Sequence, residues 1–375
     1  MFSSTANLNQ KFIYEPGLVL NTKIWFKGLI FIFLVATLPI LASAEDLKRD
    51  GEPTKDFGAL SLEDLLATEI VLINVLGTHT HLEDEWMVGY QFMFMEMNGN
   101  RSGTRQVSKN EVLNDFTVSP LRMSMEMNMA MLMYAPSDYL TLMATAPYIK
   151  KEMDHETTAG VRFTTRSEGI GDIEVKGIYT FYGEPDDKHR LMFAGGFSLP
   201  TGSIDRKDIQ ANPANGQQKL PYPMQLGSGT VDFLPGLAYL GEVDRWAWGA
   251  EALATVRLGT NSNSYSLGNQ YSFSFWGNWK WKNTVAPFFR MDTKIWGNID
   301  GADPELNPAT VPTADPNLRG GERVDLILGI NFYQPRGKFK GHRFAIEAGA
   351  PIYQSLDGPQ LETDLLFSVG WTYTW

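Results

Sequence analysis

The chain has 375 residues, enough for one large all-β domain or two smaller ones, with a net charge of −11 and an isoelectric point near 5.0. That balance excludes the basic footprint of a nucleic-acid binder. There is no cysteine, which excludes disulfide frameworks, thiolate metal sites and thiol nucleophiles.

The first element in chain order is an export signal. Lys23 and Lys27 flank the start of an apolar run from Gly28 to Leu41, and the small-x-small triplet Ala42, Ser43, Ala44 precedes Glu45. Residues 1–44 are expected to be a cleaved signal peptide. The run is shorter than the ~20 residues that span a bilayer, so an uncleaved anchor helix is the weaker alternative.

Residues 45–84 form a short N-terminal segment. Ser61 is placed to cap a short helix, with Asp64 three residues on and Leu62, Leu65 and Leu66 as its apolar face. A periplasmic helix, a lumen-inserted stopper and a simple tether all fit it.

From residue 85 to 375 the pattern is period two. Eleven strands are expected near residues 86–97, 121–134, 139–150, 170–182, 190–199, 230–241, 246–258, 270–281, 285–296, 322–333 and 342–353. The twelfth ends the chain, with Leu365, Phe367, Val369, Trp371, Tyr373 and Trp375 on one face and Asp364, Ser368, Gly370, Thr372 and Thr374 on the other. It resembles the final strand of bacterial outer-membrane barrels, which ends in Phe or Trp. The fold class is all-β: a transmembrane antiparallel up-and-down barrel of about 12 strands. A mean hydropathy of −0.20 is too polar for a helical membrane protein but suits a barrel, in which half of each strand faces a polar lumen.

The connections have the expected asymmetry. With both termini periplasmic, short turns fall at 135–138, 183–189, 241–245, 282–284 and 334–341. Long outer loops fall at 98–120, 151–169, 200–229 and 297–321. Trp86, Trp246, Trp248, Trp279, Trp281, Trp371 and Trp375 all lie at periplasmic strand ends, as an interfacial aromatic girdle requires. A soluble β-sandwich has no reason to sort tryptophan to one rim.

Three stretches in the middle carry a resemblance. They are Gly169, Ile170, Gly171, Asp172 leading to Tyr179, Thr180, Phe181; then Leu199, Pro200, Thr201, Gly202; then Gly227 through Phe233 followed by Pro235, Gly236, Leu237, Ala238, Tyr239. Their order and spacing resemble the outer-membrane transporter family named for the meta-pathway of phenol degradation, over roughly residues 169–375. The resemblance implies an outer-membrane channel or transporter for small molecules, hydrophobic or aromatic compounds among them.

Inward positions are polar and of mixed sign. The expected lumen and transport residues are Asp172, Glu174, Lys176, Glu251, Arg257, Arg290, Asp292, Lys294, Arg323 and Asp325. Such charges either pair and fill a small barrel or line a conduction path, and mixed signs give no strong ion preference. Trp276 and Tyr333 are the aromatic candidates for the lumen.

Methionine is concentrated, with twelve of sixteen between Met87 and Met153. Met93, Met95 and Met97 are expected to face the lumen. Met123, Met125, Met127, Met129, Met131 and Met133 share one face, opposite Arg122, Ser124, Glu126 and Asn128, which assigns that row to the lipid side. With His79 and His81, Met93, Met95 and Met97 form a candidate soft-metal set for copper or silver. The bland alternative is methionine as a flexible hydrophobe.

No cofactor is expected, and the histidines lack the strand placement of a barrel phospholipase, so no enzyme activity is expected. The expected partners are outer-membrane lipid, a small-molecule solute, and the barrel-assembly machinery through the strand ending at Trp375, with no nucleic acid.

Overall fold

The structure is a computed structural model that describes residues 77–185, 187–281, 284–334 and 337–375. The expected export signal and the helix expected at Ser61 lie outside these residues. All described residues belong to one compact unit, Phe57–Trp375.

The elements, in chain order, are β1 (Trp86–Gly103), β2 (Arg105–Val107), α1 (Lys109–Asp115), β3 (Val118–Ser137), β4 (Leu140–Thr157), β5 (Arg162–Ile170), β6 (Ile173–Tyr182), β7 (His189–Leu199), β8 (Lys207–Ile209), β9 (Gln217–Lys219), β10 (Val231–Phe233), β11 (Gly236–Val243), β12 (Trp246–Leu258), β13 (Tyr265–Ser266), β14 (Gln270–Trp279), β15 (Val285–Trp296), β16 (Asp300–Gly301), β17 (Gly321–Tyr333) and β18 (His342–Thr374).

Eleven of these close an antiparallel ring in the order β1, β3, β4, β6, β7, β11, β12, β14, β15, β17, β18 and back to β1. β18 doubles back on itself. Its first arm pairs with β17, from Arg343 opposite Tyr333 to Leu356 opposite Gly321. Its second arm pairs with β1, from Leu361 opposite Asn100 to Thr374 opposite Met87. The Thr374 N–H donates to the Gly341 carbonyl at 3.2 Å, so the arms lie side by side. The reversal is at Asp357, Gly358 and Pro359, where Gly358 takes the left-handed φ of +90° that favours glycine.

Eleven elements thus supply twelve staves. An even number returns both chain ends to one rim, where Trp86 and Trp375 exchange two backbone hydrogen bonds of 3.0 Å. We call this the terminal rim and the opposite one the loop rim.

The barrel is inside out relative to a soluble protein. Leu328 is 63% exposed and Ile330 42%, while Asp325 on the same strand is fully buried and Asn331 is 1% exposed. Tyr90, Leu142, Tyr179, Phe193, Phe197, Leu237, Phe289, Phe344 and Ile346 continue the exposed belt. Contiguous apolar surface of this kind is stable only against lipid. At the terminal rim, Trp86, Trp246, Trp279, Trp281 and Trp375 are exposed, while Trp248 and Trp371, also expected in the girdle, are half-buried.

All the expected strands occur. The sixth stave is broken by Leu234 and Pro235 into β10 and β11, because proline cannot donate to the ladder. Asp172 lies just before β6 rather than on it.

One orientation expected from sequence is corrected. The methionine row of β3 faces the lumen, not lipid. Met123, Met131 and Met133 are buried, whereas Arg122, Glu126 and Leu132 are exposed. The polar outer face misled because β3 runs for 20 residues and β4 for 18, while about 9–11 cross a bilayer. The surplus projects past the apolar belt, where outward ion pairs such as Arg166–Glu152 at 2.8 Å meet water.

Connections at the loop rim fold over the mouth. The β8–β9 hairpin and the β13–β16 ladder are held together around Lys219, whose ammonium lies 2.9 Å from Asp205, 2.7 Å from Asp303 and 3.5 Å from Glu305. Tyr222, Tyr265 and Ile299 pack beneath as a small apolar cluster.

Candidate functional site

Residues directly opposite in an antiparallel pair point to the same face, so the register defines the lumen wall. Across β1 and β3 that wall is largely thioether, and β4 adds Met143 and Met153 beside Thr145, Pro147, Ile149 and Lys151. Met87 stands opposite Met133, Met93 opposite Met127, Met95 opposite Met125 and Met97 opposite Met123. Met133 in turn stands opposite Met143, and Met123 opposite Met153. Met224, from the loop before β10, packs with Met123 and Met153 at the loop rim.

The other side of the ring is charged. β12 lies six staves from β1, and β15 six from β4, so they face across the lumen. Arg290 on β15 lies 3.0 Å from Asp292 and 3.2 Å from Glu347. Ser368 donates to Glu347 at 2.8 Å and receives Gln91 at 3.1 Å. On β17, Arg323 pairs with Asp325 at 2.9 Å and donates to Thr363 at 2.5 Å.

The register sets Asp292 opposite Asp325 and Lys294 opposite Arg323. Like charges directly opposite are unfavourable. The side chains turn along their own strands instead, giving the Arg290–Asp292 and Arg323–Asp325 pairs. Keeping four such groups, all on the lumen side, costs stability that a purely structural wall has no need to give up.

Two cavities follow the barrel axis. The one toward the loop rim is about 550 Å³ and is lined by Met125, Met127, Met129, Lys151, Asp172, Asp232, Arg257 and Trp296, among others. The one toward the terminal rim is about 410 Å³ and includes Thr78, Met93, Met143, Lys176, Glu251, Trp276, Arg290, Asp292 and Lys294. Glu174, Leu234, Thr255 and Gln270 line both and mark the level between them. Leu234 is there by alternation from Asp232, and its N–H still donates to the Gly196 carbonyl at 2.9 Å.

Of the ten expected lumen residues, Asp172, Glu174, Lys176, Glu251, Arg257, Arg290, Asp292 and Lys294 line the two cavities, while Arg323 and Asp325 are buried and line neither. Lys176 pairs with Glu174 at 2.7 Å and Arg257 pairs with Asp232. Asp172 is a latch more than a free charge: it accepts the N–H groups of Gly202 at 2.8 Å and Ser228 at 2.7 Å, tying three of the motif stretches together. Trp276 is buried in the lower cavity wall against Gly249. Trp296, Asp232 and Glu347 also line or support the lumen and were missed. Their inward parity was readable on strands already assigned; Asp232 lay hidden beside the break in the sixth stave.

The segment before β1 enters the barrel. The Thr78 hydroxyl donates to Glu251 on β12, Thr80 lies 3.3 Å from Thr180 on β6, and the His81 N–H donates to Thr141 on β4 at 2.9 Å. Of the alternatives for residues 45–84, the described part, 77–84, takes the lumen-inserted one. His79 and His81 are brought together there, with Nε2 atoms 3.1 Å apart. Met93 lines the same cavity as Thr78, whereas Met95 and Met97 stand farther up the wall. His155 is on β4 toward the loop rim, stacked on Phe163.

At the loop rim, pKa directions follow from the packing. Burial opposes the Lys219 charge, but the hydrogen bonds it donates to Asp303 and Asp205 overcome it and raise the pKa above the ordinary lysine value. Hydrogen bonds from Lys219 and Asn263 hold Asp205 below the ordinary carboxylate range, and a hydrogen bond from Lys207 does the same for Glu305.

No family model and no curated protein matches the sequence, so the resemblance to the meta-pathway family has no sequence-level match behind it. In fold, the chain is similar to the COG4313 outer membrane channel from Pseudomonas putida F1, with 13% identity and a TM-score of 0.58 over 80% of this chain and 98% of that one. Looser likenesses are the beta domain of the Bordetella autotransporter Brka (11% identity, TM-score 0.41, 78% of this chain and 100% of that one) and a Pseudomonas aeruginosa FadL homologue (12%, 0.37, 77% and 89%). These two carry no argument. The first places the fold among outer-membrane β-barrels.

Proposed function

We propose that the protein is an outer-membrane channel for small amphiphilic molecules, hydrophobic or aromatic compounds among them. The observation that carries this reading is the two-walled lumen, with methionine on β1, β3 and β4 facing charge on β12, β15 and β17. A flexible thioether wall suits the apolar body of many solutes. The paired charges opposite suit a carboxylate or hydroxyl head without selecting strongly for one ion. The channel fold of the Pseudomonas putida protein supports the same reading.

In this reading the terminal rim faces the periplasm, the apolar belt meets lipid, and the strand ending at Trp375 is the handle for the barrel-assembly machinery. The lumen charges that border the two cavities line the solute path. The inserted segment from Gly77 narrows the path from below, and the loop cap around Lys219 narrows it from above.

Planar-bilayer conductance and liposome uptake test this. Purified protein is expected to show small conductance and to admit an aromatic carboxylate faster than a sugar of equal size. Absence of both conductance and uptake overturns the reading.

A further inference from the structure

His79 and His81 are almost fully buried between Gly77 and β1, and their Nε2 atoms face each other at 3.1 Å. The remaining nitrogen of each ring meets a pure acceptor. His79 Nδ1 lies 2.6 Å from the Gly77 carbonyl, and His81 Nδ1 lies 3.3 Å from a Glu85 carboxylate oxygen. Neither acceptor can donate, so both Nδ1 atoms carry the proton. With each ring in that neutral tautomer, Nε2 presents a lone pair, and the two lone pairs point at one another. Two acceptors that close repel unless a cation lies between them.

We propose that His79 and His81 bind a soft monovalent cation, Cu(I) or Ag(I), through their facing Nε2 atoms. The site is independent of what the channel passes. Metal-bound imidazoles characteristically donate their other N–H to a carbonyl or carboxylate, which fixes the tautomer, and both rings already do so. Taking the zinc–nitrogen distance of about 2.0–2.1 Å as a guide, nitrogens 3.1 Å apart subtend about 100° at an ion between them. This bent geometry leaves further ligand positions open.

One row of the nearby wall is thioether. Thr141, which accepts the His81 N–H, stands on the lumen face of β4 two residues from Met143, and Met143, Met133 and Met87 form one row across β4, β3 and β1. Thioether with imidazole suits Cu(I) and Ag(I), whereas hard divalent ions want oxygen.

The test is Ag(I) retention by the purified full-length protein in chloride-free buffer near neutral pH, with the long-range ¹H–¹⁵N spectrum of the histidine rings as second readout. Wild type is expected to hold about one Ag(I) per chain more than a His79→Ala/His81→Ala variant. Silver bound by methionine alone remains in both and cancels in the difference. His155→Ala is expected to behave as wild type. The Nε2 signals of His79 and His81 are expected to shift with silver, and this readout needs no variant if the double substitution fails to assemble. Equal retention by wild type and the folded double variant overturns the proposal. So do Nε2 signals that silver leaves unmoved, or Zn(II) held at the pair in preference to Ag(I).

Discussion

Lys219 and Asp303 meet at 2.7 Å in the loop cap, and both side chains are almost wholly excluded from water, at 2% and 1% exposure. One belongs to β9 and the other to the loop after β16, so the pair fastens two long connections over the barrel mouth. Replacing Lys219 by methionine leaves Asp303 buried without its counter-charge, which typically costs about 3–5 kcal/mol. The cost falls on the cap, since the barrel ladder does not use Lys219. Lys219→Met is therefore expected to speed proteolysis of residues 200–229 and to raise single-channel conductance, with the heat-modified gel mobility of the barrel unchanged.

The same cap is expected to loosen in acid. Asp205 and Glu305 are held below the ordinary carboxylate value, so their contribution is complete above the unfolded pKa of about 4 and is lost as pH falls through the lowered folded values. Lys219 shifts the opposite way. Its contribution is full below the unfolded lysine pKa, about 10.4, and is lost only as pH rises beyond that. Conductance recorded from neutral pH downward is expected to stay flat and then rise below about pH 4. A flat trace to the acid limit would sink this account of the cap.

Arg290 holds two carboxylates, Asp292 and Glu347, on the charged wall. Arg290→Met removes one positive charge and frees two negative ones beside the lower cavity. Reversal potentials in a salt gradient are expected to move toward cation selectivity, while Lys109→Met, whose partner Glu156 lies outside both cavities, leaves them in place.

Met127 lines the upper cavity opposite Met93. Met127→Asp places a charge on the thioether wall without changing the ladder. Uptake of an aromatic carboxylate is expected to fall several-fold, because the apolar body now meets a charge where it had thioether, while uptake of a small sugar is expected to hold or rise.

Gly249 lies under Trp276, and a Cβ there would stand 2.4 Å from the ring and 2.7 Å from the Tyr239 carbonyl oxygen. The carbonyl belongs to the sheet and cannot move aside. Gly249→Ala is expected to cost about 1–3 kcal/mol and to lower the temperature at which the barrel loses its compact gel mobility.

Much of the fold was legible because a strand repeats every two residues. Alternation such as Val324, Leu326, Leu328, Ile330 against Arg323, Asp325, Gly329, Asn331 states both that a strand exists and that its two sides meet different media. It also showed that the ten charges share the polar side. Alternation does not say which side is the lumen where both faces have a reason to be polar. On β3 the row of methionines met a row of Arg122, Ser124 and Glu126, and only the height of that stretch above the apolar belt decided that the methionines point inward.

The order of strands, their even number and the inward placing of the charges were thus determined by the sequence itself, since local periodicity and the lengths of connections depend on neighbours along the chain. The tertiary structure alone decided what meets across the lumen. That β15 faces β4, that Leu234 divides two cavities, that Lys219 reaches Asp303, and that His79 and His81 turn their Nε2 atoms together are consequences of ring closure and of chain entering the barrel from its end. Such contacts join residues far apart in sequence, and no local pattern encodes them.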